Sequence, residues 1–377
     1  MPSQKSNLPK VAIIVLSWNG RKFLEISLPS LKKLFYPKNK LKIILVDNGS
    51  VDGTSSWVKK NFPDIYVIKN KKNLGFSKSN NQGFIKALSD KKIKYILTLN
   101  NDVEVDKKWL INLVNFMEKE KTVGICASKI HNFYERNVID SCGDFFSKGN
   151  LRVINRGRNQ IDRGQFDKPQ EALSACAAAS IFRRETLQEL KVSGEYFDED
   201  FFNYIEDVDL NIRARLMGWS IYYLPNALIY HVGSGTTSKI SKIYKEYVSR
   251  RNRILMAVKN FPIRLMLLLV FKYTFPSTVG INYYLTRGLK SKIKKGFGHY
   301  AKKGLAFYLK LFFDRYLISG NPDRLALLEA FWIQIRAIVA TIPLIPKMFH
   351  KRKLILKKQV VSTYEIERWT DKLAIRN

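Results

Sequence analysis

The sequence predicts an α/β fold, a mostly parallel sheet flanked by helices, followed by a basic helical region. Three observations predict it. Short β-branched apolar runs alternate with amphipathic stretches through the first half. Polar residues gather where each apolar run ends. Beyond residue 240 helical periodicity takes over, with many Lys and Arg. The division this implies is residues 1–240 for the α/β domain and 241–377 for the helical region.

The elements follow in order. Val11–Ser17 (VAIIVLS) is continuously apolar, as a strand buried on both faces should be. Lys42–Asp47, Ile65–Lys69 and Tyr95–Asn100 repeat that character. Between and after them lie helix-like stretches at Lys22–Leu34, Thr54–Asn61, Ser77–Leu88 and Lys108–Lys119. This βαβα order makes parallel neighbours, with ligands beyond the C-terminal strand ends. Residues 131–170 read as loops and short strands, and 172–183, small and apolar, as a close-packed strand. A helix is expected from Asp207 to Met217, stopping at Gly218, then a strand from Tyr222 to Tyr230. After Pro322, Leu325, Leu328, Trp332, Ile335, Val339 and Ile342 recur at helical steps, and Lys290–Lys303 and Lys347–Lys358 are strongly basic.

The net charge is +33 over 377 residues, unevenly spread: residues 239–377 hold 29 Lys and Arg against 7 Asp and Glu. That asymmetry points to a polyanionic surface. The three cysteines, Cys126, Cys142 and Cys176, form no CxxC pair and read as free thiols in a reducing compartment. The N-terminus shows no basic-then-apolar leader, and no run of about 18 apolar residues is found, so a spanning helix is not expected. The nearest approaches are Leu265–Phe271 and Phe331–Ile345.

Candidate site residues stand at the strand ends. In LSWNG (Leu16–Gly20), Trp18 has two readings, a platform for a nucleobase or a core tryptophan, and Asn19 follows it. In VDNGSVDGTS (Val46–Ser55), Asp47 is placed to accept a hydrogen bond from a base or ribose, while Asp52 takes the turn role. NLGFSKSNNQGF (Asn73–Phe84) opens a helix. Gly75 there allows close backbone approach and Asn81 is a donor-side candidate, although a plain loop-to-helix junction reads as well. In LNNDVEVD (Leu99–Asp106), Asp102 is the candidate ligand for a hard cation, Mg2+ or Mn2+, bridging two phosphates. Asn100 and Asn101 are its amide neighbours, and Glu104 and Asp106 read as solvated residues. In Phe197–Trp219, Asp207 is the candidate base for a sugar hydroxyl. Glu206 and Asp209 read as dipole-favoured residues at a helix start, and Arg213 as an ion-pair partner. His231 closes the last strand. Position alone favours a metal ligand there over the structural role of most lone histidines.

Taken in order, LSWNG, VDNGSVDGT, NLGFSKSNNQG, LNNDVEVD, FFNYIEDVDLNIRARLMGW and YHVGSGT resemble glycosyltransferase family 2, within it the rhamnosyltransferase-like members, over residues 9–260. The resemblance implies the GT-A fold, a nucleotide-binding half joined to an acceptor-binding half. It implies that Trp18 and Asp47 contact the nucleobase and that Asp102 ends the Asp-x-Asp metal motif. It further implies that Asp207 is the base of a single inverting displacement and that His231 is a second metal ligand. Asn100 departs from the first Asp of that motif and lowers the site's charge, and the run Cys176–Ser180 lacks the glycine expected before its alanines. The implied partners are a nucleotide-sugar donor, with rhamnose or another hexose, and a saccharide or polyprenyl-linked acceptor. The basic C-terminal helices suit a peripheral hold on an anionic leaflet at the cytoplasmic face; a bundle with a solvated basic surface fits the pattern equally.

Four rivals rank lower. A nucleotidyltransferase would carry a Gly-rich basic loop after the first strand, and a dehydrogenase a G-x-G-x-x-G; LSWNGRKF is neither. Nucleic acid is not an expected partner, because no nucleic-acid module is recognisable and the charge lies apart from the strand-end motifs. The remaining alternative is a basic nucleic-acid- or membrane-binding protein on the same scaffold without transferase activity.

Overall fold

A computed structural model describes residues 8–148, 151–233, 241–274 and 324–375. Strands β1 (Lys10–Ser17), β2 (Leu41–Asp47), β3 (Tyr66–Lys69) and β4 (Ile93–Asn100) run parallel in the order β4–β1–β2–β3. Helices α1 (Arg21–Lys32), α2 (Thr54–Asn61), α3 (Gly75–Leu88) and α4 (Trp109–Lys119) connect and flank them. Alternate residues of β1 serve opposite cores. Val11, Ile13 and Val15 pack with α1 and α4, while Ala12 and Ile14 pack with Phe84 of α3. Burial on both faces is why this run shows no polar alternation.

The sheet continues past β4 through β11 (Ala179–Arg183), β6 (Val123–Asn132), β12 (Ser220–His231) and β10 (Gln170–Glu171). β11 is antiparallel to both its neighbours, whereas β6 and β12 are parallel, so the sheet is mixed but mostly parallel. Short strands β5 (Val103–Val105) and β7 (Ile139–Ser141) pair with β12 and β6. The small apolar run 172–183 is only partly a strand. Ala172, Leu173 and Ser174 donate to the carbonyls of Ile221 and Asp144, and the chain then loops where amides bond side chains instead of a ladder: Ala175 N donates to Asn211 Oδ1 and Ala177 N to Asp207 Oδ2.

Helix α6 (Glu206–Leu216) carries the acidic motif one residue earlier than predicted. Its far side joins a third core. There Phe201, Val208, Ile212 and Leu216 meet residues of α7 (Lys242–Asn260), α8 (Ile263–Thr274), α10 (Ile345–Leu356) and α11 (Thr363–Lys372). A second small sheet, not predicted, joins β8 (Asp144–Ser147), β9 (Val153–Asn155) and β13 (Ala374–Ile375). The chain end thus returns to the first half. Helix α9 (Arg324–Thr341) packs on α7. The basic segment Lys290–Lys303 and the side chains of Leu325 and Leu328 lie outside the described residues.

One expectation is corrected. The helical run Glu329–Leu356, 28 residues with mean hydropathy 1.2, is long and apolar enough to cross a membrane by length and composition. A 3-10 turn at Ile342–Leu344 bends it. Its second half is tied to the protein: Lys351 reaches Asp198 at 2.6 Å and Arg352 donates to the carbonyl of Val258.

Candidate active site

Strand register assembles the site. Ser17 pairs with Asp47 and Leu16 with Asn100, so the three predicted strand ends meet at one edge of the sheet. Antiparallel pairing of β12 with β5 sets His231 opposite Val103, directly after Asp102, and Val232 N donates to Asp102 O at 3.0 Å.

His231 Nε2 faces Asp102 Oδ1 at 3.3 Å, and its Nδ1 bonds Asp140 Oδ2 at 2.9 Å. Burial opposes a charged ring, but the Asp102 and Asp140 carboxylates outweigh it and push the histidine pKa up to about 9. Although close to Asp102, Nε2 is buried and makes no hydrogen bond of acceptable geometry. That nitrogen, in ion-pair contact with Asp102 but without a well-formed hydrogen bond, is the test for a metal. Neighbouring vertices of an octahedron with bonds of about 2.1 Å lie about 3.0 Å apart, close to the Asp102–His231 spacing. Asp140 holds the other ring nitrogen, as second carboxylates do behind metal-bound histidines. Among the described residues no group of three or more His, Cys, Asp and Glu is placed to hold a metal ion, so the fit is argued from Asp102 and His231 alone. The residues fit a divalent cation on those terms.

Asp207 is the second residue of α6 and is half-buried. Its Oδ2 accepts from Ala177 N at 3.1 Å and its Oδ1 from Val208 N at 2.8 Å. Desolvation raises its pKa from the ordinary aspartate value, and the backbone amides only partly offset this. Asn211, one turn on, clamps the same loop: its Nδ2 donates to Asp207 O at 2.6 Å and its Oδ1 accepts from Ala175 N. Glu206, which is buried, has its pKa raised first by burial and then by Asp207 and Asp209. Asp209 is an interior ion-pair partner of Arg213 at 3.1 Å and Lys259 at 2.7 Å.

The donor-side candidates divide. Trp18 is half-buried beside the exposed Asn19, whose Oδ1 accepts from Val51 N and whose amide bonds Ser50 Oγ, stitching the first two strand ends together. Asn100 is half-buried at its strand end. Asp47 is at the edge but turned inward. Ser50 N and Ser55 Oγ satisfy its carboxylate, so it shares the turn role given to Asp52, which holds Arg21 N and Thr54. Asn101 is buried, with Nδ2 on Ser17 Oγ at 3.1 Å. Two expectations are corrected. Asn81 points away from the strand ends: both ends of its amide hold the Phe197 backbone, at 2.8 and 2.9 Å. The α3 amides near Gly75 are not open to a ligand, because Phe202 O accepts from Phe76 N at 2.7 Å and Ser77 N at 3.3 Å. Gly75 itself sits at φ +83°, where a Cβ would meet the Phe202 ring and carbonyl at 2.6 Å.

Sequence reasoning missed Asp140, Asn211 and Asp144. Asn211 was findable, four residues after Asp207 on the same helix face. Nothing local marks Asp140 as the partner of His231. Asp144 is fully buried, and burial followed by the Asp207 charge pushes its pKa up to about 8.

With this geometry in place, the comparisons are direct. Residues 12–191 match the family described as Glycosyl transferase family 2. An N-acetylglucosaminyl-diphospho-decaprenol L-rhamnosyltransferase of Mycobacterium tuberculosis is 21% identical over 243 residues, 60% of this chain and 77% of the relative. The "Probable glycosyltransferase YdaM" of Bacillus subtilis is 33% identical over 231 residues, 59% of this chain and 50% of the relative. Among solved structures, the mannosyltransferase PcManGT of Pyrobaculum calidifontis, in complex with GDP-Man and Mn2+, superposes with a TM-score of 0.53 at 16% identity, covering 90% of this chain and 88% of that one. GalNAc-T7 with UDP, GalNAc and Mn2+ gives 0.56 at 15%, covering 75% and 55%. These likenesses show the fold, and the sequence matches carry the chemistry. Residues 12–191 of the chain are similar to glycosyltransferase family 2, and the chain has the GT-A fold of a glycosyltransferase that draws on a nucleotide-sugar donor.

Proposed function

We propose that the protein transfers a hexose, rhamnose among the candidates, with inversion from a nucleoside-diphosphate sugar to a hydroxyl of a lipid-linked saccharide. The observation that carries this is the half-buried Asp207 carboxylate, fixed by Ala177 N and Val208 N, with its pKa raised by desolvation. A carboxylate so placed is a stronger base than one in water. Asp207 takes the proton of the acceptor hydroxyl as that oxygen bonds the anomeric carbon. The bond from that carbon to the diphosphate oxygen breaks, and its electron pair leaves with the nucleoside diphosphate. A cation held by Asp102 and His231 would neutralise charge on the departing diphosphate. Asp140 keeps the His231 ring oriented. The lipid-linked acceptor is supported by the decaprenol-linked substrate in the mycobacterial relative's name.

We infer a peripheral position on the cytoplasmic leaflet. Helix α8 exposes Ile263, Leu267, Leu268 and Phe271 on one side. On α10, Phe349 and Leu356 line a groove of about 410 Å3 walled by Arg352, Lys353 and Lys357. Apolar floors with cationic rims fit an anionic bilayer surface. The three free cysteines suit a reducing compartment.

The test is thermal stability with UDP, dTDP, GDP and ADP, each with and without Mn2+. A diphosphate at 100 times its Kd adds about 2.7 kcal/mol. Metal-dependent stabilisation by one of them is expected, and with the matching sugar nucleotide Asp207→Asn should lose about a hundredfold or more in transfer while keeping that stabilisation. Undiminished transfer by Asp207→Asn would remove it as the base. Cosedimentation with phosphatidylglycerol vesicles but not with phosphatidylcholine vesicles is expected for the membrane reading; equal binding, or none, counts against it.

A further inference from the structure

Between Asp198 and the base helix the backbone is strained at three residues that are not glycine. Phe202 has φ 61° and ψ −59°. The bond from Asn203 N to Phe201 O, 2.6 Å, closes a γ-turn of the rare positive-φ kind around it. Tyr204 and Ile205 follow at φ 69°. Such conformations cost about 1–3 kcal/mol each and persist only where surrounding structure holds them. Helix α7 does the holding here. Asn252, fully buried, sets Nδ2 within 2.9, 2.9 and 2.7 Å of the carbonyls of Phe201, Asn203 and Tyr204, so its two hydrogens are shared among three acceptors. Arg251 adds bonds to the carbonyls of Asp200 and Phe201 and braces Asn252 Oδ1 at 3.0 Å.

The turn sends two adjacent phenylalanines opposite ways. Phe201 is fully buried in the third core, whereas Phe202 is 38% exposed. The Phe202 ring covers Gly75, the first residue of α3, whose carbonyl accepts from Asn48 at the nucleotide edge of the sheet, and Phe202 lies five residues before Asp207 in sequence. The backbone duty of Phe202, capping α3 through its carbonyl, needs no side chain. Glycine would serve it without strain. What the phenylalanine adds is an exposed flat apolar face between the nucleotide edge and the base.

We propose that Phe202 is an aromatic platform on which a pyranose ring of the acceptor saccharide seats its C–H face, setting the reacting hydroxyl toward Asp207. Aromatic rings supply this kind of contact because they present a large rigid apolar surface at little entropic cost. The inference rests on the transferase reading of the site, and its test separates the two.

The full chain, with Mn2+ and the nucleoside diphosphate that stabilises it most, is titrated with a panel of p-nitrophenyl pyranosides. Saturation-transfer NMR reads ring C–H contacts and melting reads the fold and the nucleotide site. Wild type should bind at least one pyranoside through its ring protons. Phe202→Tyr should keep that binding and Phe202→Leu should weaken it about tenfold. Phe202→Gly should lose it while melting no lower than wild type, because strain is relieved. All variants should keep nucleotide stabilisation. The platform is overturned if wild type binds no pyranoside, or if Leu and Gly variants bind as tightly as wild type. It is reassigned away from the acceptor if the variants leave pyranosides alone but weaken the sugar nucleotide relative to the free diphosphate. Absence of nucleotide stabilisation in wild type would instead sink the donor-site reading.

Discussion

Lys351→Met tests how the C-terminal half holds the catalytic half. Lys351 is 2% exposed, and its Nζ lies 2.6 Å from Asp198, 2.9 Å from Asp200 and 3.0 Å from Glu195. Methionine keeps most of the stem and removes the charge. Asp198, equally buried, would keep the cation Lys259 at 2.6 Å and the Asp200 N–H at 3.1 Å, Asp200 would keep the half-exposed Lys347, and Glu195 is partly open to water. Removing one partner of a buried pair costs about 3–5 kcal/mol, and the surviving Lys259 contact argues for the low end, about 3. At about 2.1 cal/mol/K per residue, that lowers Tm by about 4 °C for a chain of this size. The pH dependence has a definite sign. Lys259 and Lys351 outweigh the burial of Asp198 and hold its pKa below the ordinary carboxylate value. Its stabilising effect is therefore complete above pH 4 and lost as pH falls through the folded value. Lys351 has its pKa raised, burial being outweighed by Asp198 and Asp200, so its contribution persists until pH passes that higher value. Circular-dichroism melts of wild type and variant should differ by the full amount at pH 7 and converge below pH 4. A variant within 1 °C of wild type at pH 7, or a gap unchanged at pH 3, would refute the reasoning.

Two further outcomes follow from the same structure. Asp144, with a folded pKa of about 8 against an ordinary 3.8, binds a proton that the unfolded chain has released, so its contribution falls as pH rises between those values. Asp144→Asn should gain about 1.4 kcal/mol on wild type for each pH unit from 5 to 7, and parallel melting curves across that range would contradict the buried-acid assignment. Gly75→Ala combines a left-handed φ with a 2.6 Å clash against Phe202, whereas Gly53 at φ +80° has nothing within 4 Å of an added Cβ. Gly53→Ala should cost about 1 kcal/mol and Gly75→Ala about twice that or more; equal melting points would show that the Phe202 turn yields freely.

What could be read in advance depended on whether the signal was local. The exits of β1, β2 and β4 were legible because β-branched runs end abruptly in polar residues, and parallel register then brings Ser17, Asp47 and Asn100 together. The acidic start of α6 was legible through dipole preference and periodicity. The direction in which Asp47 and Asn81 point was not, since each is decided by a partner elsewhere: Ser55 for one, Phe197 for the other. The run 172–183 misled because small apolar residues suit a strand or a tight loop equally, and Asp207 and Asn211, across the fold, choose the loop around Ala175 and Ala177. Asp140 stands 91 residues from His231, and no spacing rule links them.

The charge asymmetry also reads differently once the fold is known. Taken as composition, the cations of residues 239–377 point outward to a polyanion. Yet the stretch 195–209 contains seven acidic residues, and several are interior. Lys259 neutralises Asp198 and Asp209 there, and Lys351 neutralises Asp198, Asp200 and Glu195. Arg251 and Asn252 hold the strained carbonyls in between. Part of the basic character of the helical region therefore serves the acidic segment that ends in the base, and only the remainder faces outward. The helices proposed to meet a membrane, α8 and α10, share one core with α6, which carries Asp207, and with α7, which holds the turn, so a lipid contact there would act on the same packed body as the proposed base.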